Sequence, residues 1–166
     1  PFEAPEHVCS SYDNCHVPWG STHEKTWHLV KTLPHVSGLF VWTGFDYLGE
    51  PTPYWWPSRS SFFGIVDLAG FPKDIYYMYK SEWTNEPVLH IFPHWNWKEG
   101  EPVDIWAYYN NADEVELYLN GKSLGVRQKT DSTYHVSWRV PFTPGTLKAV
   151  SRLGGKEVLV KEIHTA

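Results

Sequence analysis

Gly38-Leu-Phe-Val-Trp42-Thr-Gly-Phe-Asp46-Tyr-Leu-Gly-Glu50-Pro51 decides how the first half of this chain reads. Ser37 to Phe45 is a nearly unbroken apolar and aromatic run between turn residues. That is the pattern of a strand buried on both faces in a parallel sheet, whereas an antiparallel surface strand would alternate. The run then leads into a loop that carries Asp46 and Glu50 among Gly and Pro, the place where α/β barrels build their sites. Counting by two along an extended strand puts Trp42, Gly44 and Asp46 on one side, with Gly44 leaving room between the larger groups. Two readings stay open on these residues alone. A sugar ring could lie against the Trp42 indole, or Trp42 could fill a barrel interior while Asp46 binds nearby backbone amides.

Working outward, Pro1 to Gly20 has no clear period and reads as a long irregular loop. Ser21-Thr-His-Glu24 has the form of a capping box, so a helix is expected to start there. Trp27, Val30 and Leu33 follow on one helical face until Pro34 blocks continuation. Downstream, Pro72 suits a first helical turn, and a second helix is expected through Ile75, Met78 and Tyr79 to about Trp83. The order helix, buried strand, long loop, helix is one slice of an α/β fold. A single buried parallel strand leaves both edges unpaired, so this half is expected to need neighbours and to self-associate through its exposed barrel surface.

After Asn85-Glu86-Pro87 the texture changes to short alternating segments: Val88 to Phe92, Val103 to Tyr109, Val115 to Leu119, Lys122 to Arg127, Tyr134 to Val140, Leu147 to Arg152 and Glu157 to Ile163. Asn120-Gly121 supplies the positive φ angles of a two-residue hairpin turn, and Gly154-Gly155 can do the same. Seven such strands in roughly 80 residues predict an all-β immunoglobulin-like sandwich able to fold alone. The expected organisation is therefore residues 1–85 as an α/β barrel remnant, its last strand and flanking helices, followed by a sandwich over 86–166.

Composition narrows the function classes. The formal net charge of −5 gives no electrostatic footprint for phosphate backbones, which argues against nucleic acid. No stretch approaches the roughly 20 consecutive apolar residues of a membrane-spanning helix, so the chain is expected to be soluble and without a membrane partner. The chain begins at Pro1, with no charged-then-apolar leader, and its first residues read as the interior of a longer protein. The 10 Trp, 10 Tyr and 8 Phe exceed what a small core needs. Flat rings suit the C–H faces of sugars, although they also enrich protein interfaces. Cys9 and Cys15 lack the spacing of paired zinc ligands and read as free thiols. His7, His16 and His23 match no metal motif, and Cys15-His16 has no recognisable orienting partner for nucleophilic catalysis. Neither a metal nor a cofactor is expected.

The Trp42 segment resembles the last barrel strand of glycoside hydrolase family 2, the family of β-galactosidases, β-glucuronidases and β-mannosidases. Gly64-Ile-Val-Asp67-Leu-Ala-Gly70-Phe-Pro72-Lys73 resembles the approach to that family's final barrel helix. Phe92-Pro-His-Trp95-Asn-Trp97 and Asn110 to Gly125 resemble the immunoglobulin-like domain that follows the barrel in β-galactosidase-like members, and Cys9 to His16 resembles a loop beside the site. The resemblance covers nearly the whole chain.

It implies a retaining glycoside hydrolase that cleaves terminal β-linked sugars, a β-galactosidase in the first instance. Members use two glutamates, both expected to precede Pro1, so no catalytic residue is assigned in this chain and the fragment alone is expected to be inactive. Asn85-Glu86 has the residue types of the acid/base pair but the wrong place. The resemblance assigns substrate binding to Trp42, Asp46 and Glu50, with Trp42 stacking, Asp46 binding hydroxyls or orienting, and the Glu50 to Arg59 loop as a rim. The implied partners are a carbohydrate substrate and the remainder of the parent enzyme. Related sequences occur in exported polysaccharide-degrading systems, so export of the parent is one expectation, with location otherwise open. The rival from another class is a carbohydrate-binding or purely structural sandwich. A platform of Trp95, Trp97 and Trp106 would leave ring faces exposed, whereas anchoring would bury them against the Tyr76 to Trp83 helix; Trp106 itself sits in a strand expected to point inward.

Overall fold

The computed structural model describes residues 10–166, so Cys9, His7 and the start of the expected N-terminal loop lie outside the described residues. The chain forms two compact units, the first ending at Tyr76 and the second running from Tyr77 to Ala166.

The second unit is a β-sandwich. Its strands are β1 (Leu89–Phe92), β2 (Pro102–Tyr109), β3 (Glu114–Leu119), β4 (Lys122–Arg127), β5 (His135–Pro141), β6 (Thr146–Leu153) and β7 (Lys156–His164). Each expected strand is found, with both ends displaced by no more than one residue. A three-stranded sheet in the order β1-β2-β5 and a four-stranded sheet in the order β4-β3-β6-β7 are antiparallel throughout. Asn120 and Gly121 join β3 to β4 with φ of 50° and 81°, and Gly154 and Gly155 join β6 to β7 with φ of 56° and 77°. These are the left-handed pairs that a two-residue hairpin requires.

The period of two explains the core. Ile105, Ala107, Val115, Leu117, Leu147 and Ala149 are fully buried between the two sheets, joined by Val136, Trp138 and Val140 of β5. Both buried indoles find an acceptor, as a buried polar group must. Trp95 Nε1 donates to the Thr143 carbonyl at 3.0 Å and Trp138 Nε1 to that of Gly125 at 3.0 Å. Trp106 departs from expectation: it is not among the core residues between the sheets, and its ring stacks on His135 at 3.6 Å. Its position on β2 alternates with the core residues Ile105 and Ala107, so the inward direction assigned from sequence was one residue out of phase. The second helix, α2 (Asp74–Trp83), crosses the division between the units. Its Tyr77 ring stacks on His90 of β1 at 3.8 Å, and Met78 and Tyr79 are buried.

The first unit is built otherwise. Helix α1 (His23–Thr32) has no buried residue, and its expected capping box does not form. Thr22 is the N-cap and makes no side-chain bond to the helix. The Asp13 carboxylate from the preceding loop accepts from the His23 and Glu24 amides instead, at 2.9 and 2.7 Å. A carboxylate satisfies two orphan donors at once and complements the helix dipole, which a hydroxyl cannot match.

The Ser37 to Phe45 run, expected as a strand buried on both faces, is not a regular strand. Phe45 makes a parallel bridge to Val66, while Phe40, Trp42 and Phe45 are 104%, 72% and 62% exposed. A strand exists by pairing, and within the described residues this run pairs with an irregular return segment rather than with neighbouring parallel strands.

Candidate functional site

The segment from Trp42 to Gly49 lies beside the return segment from Arg59 to Val66, and backbone bonds hold the two together. Thr43 N donates to Phe63 O at 3.1 Å, Ile65 N to Thr43 O at 3.0 Å, Asp46 N to Val66 O at 2.9 Å and Ser61 N to Tyr47 O at 3.0 Å. The approach is so close that a Cβ on Gly64 would lie 2.1 Å from the Asp46 nitrogen, which makes glycine a steric requirement there.

Asp46 is the polar centre of this arrangement. It is 6% exposed, and its Oδ1 accepts from the Gly64 amide at 2.8 Å and from Lys73 Nζ at 2.7 Å. Lys73 also donates to the Phe62 carbonyl at 3.1 Å. The ion pair therefore fastens the Trp42 segment, the return segment and the start of α2 to one another. A second carboxylate, Asp67, shapes the approach to Pro72 by accepting from the Ala69 and Phe71 amides at 2.8 and 2.9 Å.

Around these groups the first unit opens into a cleft of about 970 Å³, lined among others by Trp42, Asp46, Tyr47, Glu50, Tyr54 and His23. The three residues singled out from sequence thus face one opening. Their environments differ. Trp42 presents a largely exposed ring, its Nε1 donating to the Tyr47 hydroxyl at 3.3 Å with the two rings edge to face. Glu50 is exposed at the edge, and Asp46 is buried and paired. Burial lowers the pKa of His23, which favours its neutral form. Lys73 and Tyr47, which hold Asp46 and Trp42, were not assigned roles from sequence. The signals available were the Gly70-Phe-Pro72-Lys73 turn and the five-residue spacing from Trp42.

Of the remaining candidates, Cys15 and His16 line the same cleft, whereas Glu86 and the sandwich tryptophans do not. Cys15 is a half-buried free thiol, and the adjacent His16 points Nδ1 at the Val17 carbonyl, 2.8 Å away, leaving that nitrogen unavailable to orient a nucleophile. Among the described residues no three His, Cys, Asp or Glu side chains come together to hold a metal ion. Glu86 is exposed and bonds Lys80 at 2.8 Å, and that bond and charge lower its pKa. A general acid in a glycosidase requires the opposite shift. In the sandwich, Trp95 is 1% exposed inside the core, packed edge-on against Phe142 rather than on α2. Trp97 stacks on His94 and donates to its carbonyl. Trp95, Trp97 and Trp106 therefore form no common exposed platform.

Known proteins resemble both units. Residues 100–159 match a family described as a domain of unknown function (DUF4982). The β-galactosidase BoGH2A of Bacteroides ovatus is 65% identical over 159 residues, which are 96% of this chain and 19% of that protein. A β-glycosidase from Bacteroides vulgatus superimposes with a TM-score of 0.86 at 39% identity, over 95% of this chain and 20% of its own. A glycosyl hydrolase family 2 member from Bacteroides cellulosilyticus does so with a TM-score of 0.74 at 31% identity, over 86% and 23%. The chain belongs to glycoside hydrolase family 2. It spans about a fifth of the length of these relatives. Other members that it resembles have a different specificity: a β-glucuronidase of Bacteroides fragilis is 30% identical over 85% of this chain and 21% of its own length.

Proposed function

We propose that this chain is one wall of the sugar site in a retaining family 2 glycoside hydrolase that cleaves terminal β-linked galactose. The observation that carries the reading is the convergence of Trp42, Asp46 and Glu50 on one cleft, with the Trp42 ring presented to it. Trp42 is the stacking platform for the apolar face of the sugar. Glu50 binds hydroxyls at the rim. Asp46 acts as an orienting group, because its Oδ1 is already committed to Gly64 and Lys73.

A retaining mechanism needs two carboxyl groups roughly 5 Å apart across the scissile bond, one of them with a raised pKa. Asp46, held in an ion pair, and Glu86, held ionised by Lys80, do not supply that pair. Both catalytic glutamates are assigned to the parent enzyme outside this chain. Residues 1–85 are read as the C-terminal part of the (β/α)8 barrel, in which the Ser37 to Phe45 run gains parallel neighbours. Residues 86–166 are read as an immunoglobulin-like domain, supported by the sheet orders β1-β2-β5 and β4-β3-β6-β7. Identity with BoGH2A favours galactose over glucuronate.

The test is hydrolysis of a chromogenic β-galactoside and a chromogenic β-glucuronide by the full-length parent, by this chain alone, and by the parent carrying Trp42→Ala. Galactosidase activity in the parent, none in the chain, and a fall of about 10–100-fold in kcat/KM for Trp42→Ala are expected, the loss of one stacked ring being worth about 1.5–3 kcal/mol. Robust activity of this chain alone would overturn the assignment and return attention to Asp46 and Glu50.

A further inference from the structure

Asn120 is the one asparagine of this chain that glycine follows, and the pair forms the tip of the β3–β4 hairpin. Asn-Gly suits that turn because both residues hold positive φ. The same pair is chemically labile. An asparagine side chain can close on the backbone nitrogen of the next residue, and glycine, having no Cβ, leaves that nitrogen open and its backbone free to adapt. Asn120 is also exposed, so burial does not keep water from it.

What holds it is a clamp onto the segment between β5 and β6. Asn120 Nδ2 donates to the Pro144 carbonyl at 3.0 Å, and Asn120 Oδ1 accepts from the Thr146 amide at 2.8 Å. The backbone amide of Asn120 donates to the Thr146 carbonyl at 2.9 Å. The fit is tight: Gly145 has φ of 136°, and a Cβ there would lie 1.8 Å from Asn120 Oδ1. Gly145 is tied in turn to Thr165, whose amide donates to the Gly145 carbonyl at 2.9 Å and whose Oγ1 accepts from the Gly145 amide at 3.0 Å. Asn120 Cγ cannot turn toward the Gly121 nitrogen without giving up both side-chain bonds. Asn110 is held in a comparable way, on Val88 N and on the Thr84 and Glu86 carbonyls, but Asn111 follows it and the Cβ of that residue hinders the same closure.

We propose that Asn120-Gly121 is a latent self-modification site, kept intact by its bonds to Pro144 and Thr146 and converted to aspartate and isoaspartate when that clamp opens. The Gly121 nitrogen loses its proton and bonds to Asn120 Cγ, the Cγ–Nδ2 bond breaks, and ammonia leaves a five-membered succinimide. Water then adds to one of the two imide carbonyls and the ring opens. One direction of opening gives aspartate; the other gives isoaspartate, whose backbone runs through the former side chain and is one methylene longer. The sum is one water consumed and one ammonia released. Neither product remakes the clamp. Aspartate sets an acceptor oxygen against the Pro144 carbonyl, and isoaspartate lengthens a two-residue turn that fixes the β3–β4 register. The modification is one-way and loosens the hairpin in which it occurs.

The test follows the full-length parent by peptide mass mapping at mildly alkaline pH, native and unfolded in guanidinium chloride. It reads amide-to-acid conversion at Asn120, with Asn96 and Asn111 as internal references. Two hydrogen bonds must break to reach the attack geometry, so native conversion at Asn120 should be at least about tenfold slower than in the unfolded chain, where it should outpace both references. Gly145→Ala, whose new methyl displaces Asn120 Oδ1, should raise the native rate by about tenfold, and Asn120→Asp should lower the melting temperature of the sandwich. Equal native and unfolded rates overturn the protection, and an Asn120 no faster than the references when unfolded overturns the lability. A folded Gly145→Ala protein that converts at the wild-type rate overturns the clamp. Where that variant does not fold, hydrogen exchange at the wild-type Thr146 amide decides instead: strong protection supports the clamp, and exchange as fast as in the unfolded chain overturns it. An Asn120→Asp protein as stable as the wild type overturns the loosening.

Discussion

Trp95→Ala in the isolated sandwich, residues 74–166, separates a core indole from a sugar platform by its effect on stability. Trp95 is 1% exposed, lies edge-on to Phe142 with centroids 5.0 Å apart, and donates to Thr143 O at 3.0 Å. Removing a buried Trp down to Ala costs about 3–5 kcal/mol through lost transfer free energy and the cavity left behind. A domain of this size has roughly 5–13 kcal/mol in total. At about 4–8 °C per kcal/mol, the melting temperature should fall by at least roughly 12 °C, and the domain should be partly unfolded at 37 °C if its stability lies at the low end. Trp95→Phe keeps a ring but loses the hydrogen bond and part of the packing, about 1–2 kcal/mol, or roughly 4–16 °C. Thermal unfolding followed by far- and near-ultraviolet circular dichroism reads both variants. A Trp95→Ala melting temperature within about 4 °C of wild type, the range of an ordinary surface substitution, would refute the core assignment.

In the parent enzyme, Asp46→Ala leaves the Lys73 ammonium and the Gly64 amide without their shared acceptor and should cost about 3 kcal/mol in denaturant unfolding. Lys73→Met with Asp46→Ala together should cost less than the sum of the two single changes, and strict additivity would show that the pair is not coupled. The Ser123 and Tyr118 hydroxyls, with Arg152 adding to them, hold the Glu116 carboxyl below its usual pKa. A depressed folded-state pKa contributes stability that is present above the unfolded value of about 4.3 and lost as pH falls through the folded one. Glu116→Gln should therefore destabilise the sandwich at pH 7 and approach the wild type near pH 3, whereas a difference independent of pH would show that ionisation plays no part.

The sandwich was legible because its signals are local. Alternation in Val103 to Tyr109 and positive-φ residues at Asn120-Gly121 act within a few positions, and both appear where expected. The phase of alternation was less secure: Tyr108 and Tyr109 are both buried, on opposite faces of β2, so the burial pattern there does not mark one inward side. The cap of α1 was missed for a physical reason of another kind. Ser21-Thr-His-Glu24 satisfies the local rule, but Asp13, ten residues before His23, offers a charged acceptor with two oxygens and wins the same amides. The cleft residues Trp42, Asp46 and Glu50 were found together, while Lys73, 27 residues beyond Asp46, had no signal in its spacing.

The first unit shows which of its contacts are specified by its own chain. Phe40 and Phe45, which a barrel would bury against adjoining strands, are left exposed, and the run they belong to has no regular ladder. The face that carries Trp42 is held differently. Asp46 joins Gly64 and Lys73, Tyr47 accepts from the Trp42 indole, and six backbone bonds tie residues 43–49 to 59–66. Those contacts involve no neighbouring strand among the described residues, so they fix the relative positions of the cleft residues before the apolar side is covered. Burial in the parent would then add to the stability that the local hydrogen bonds already contribute, while those bonds alone set the geometry of the cleft. On this division, substitutions at Phe40 or Phe45 in the parent act through folded yield and melting temperature, and those at Tyr47 or Lys73 act on turnover at temperatures where the enzyme remains folded.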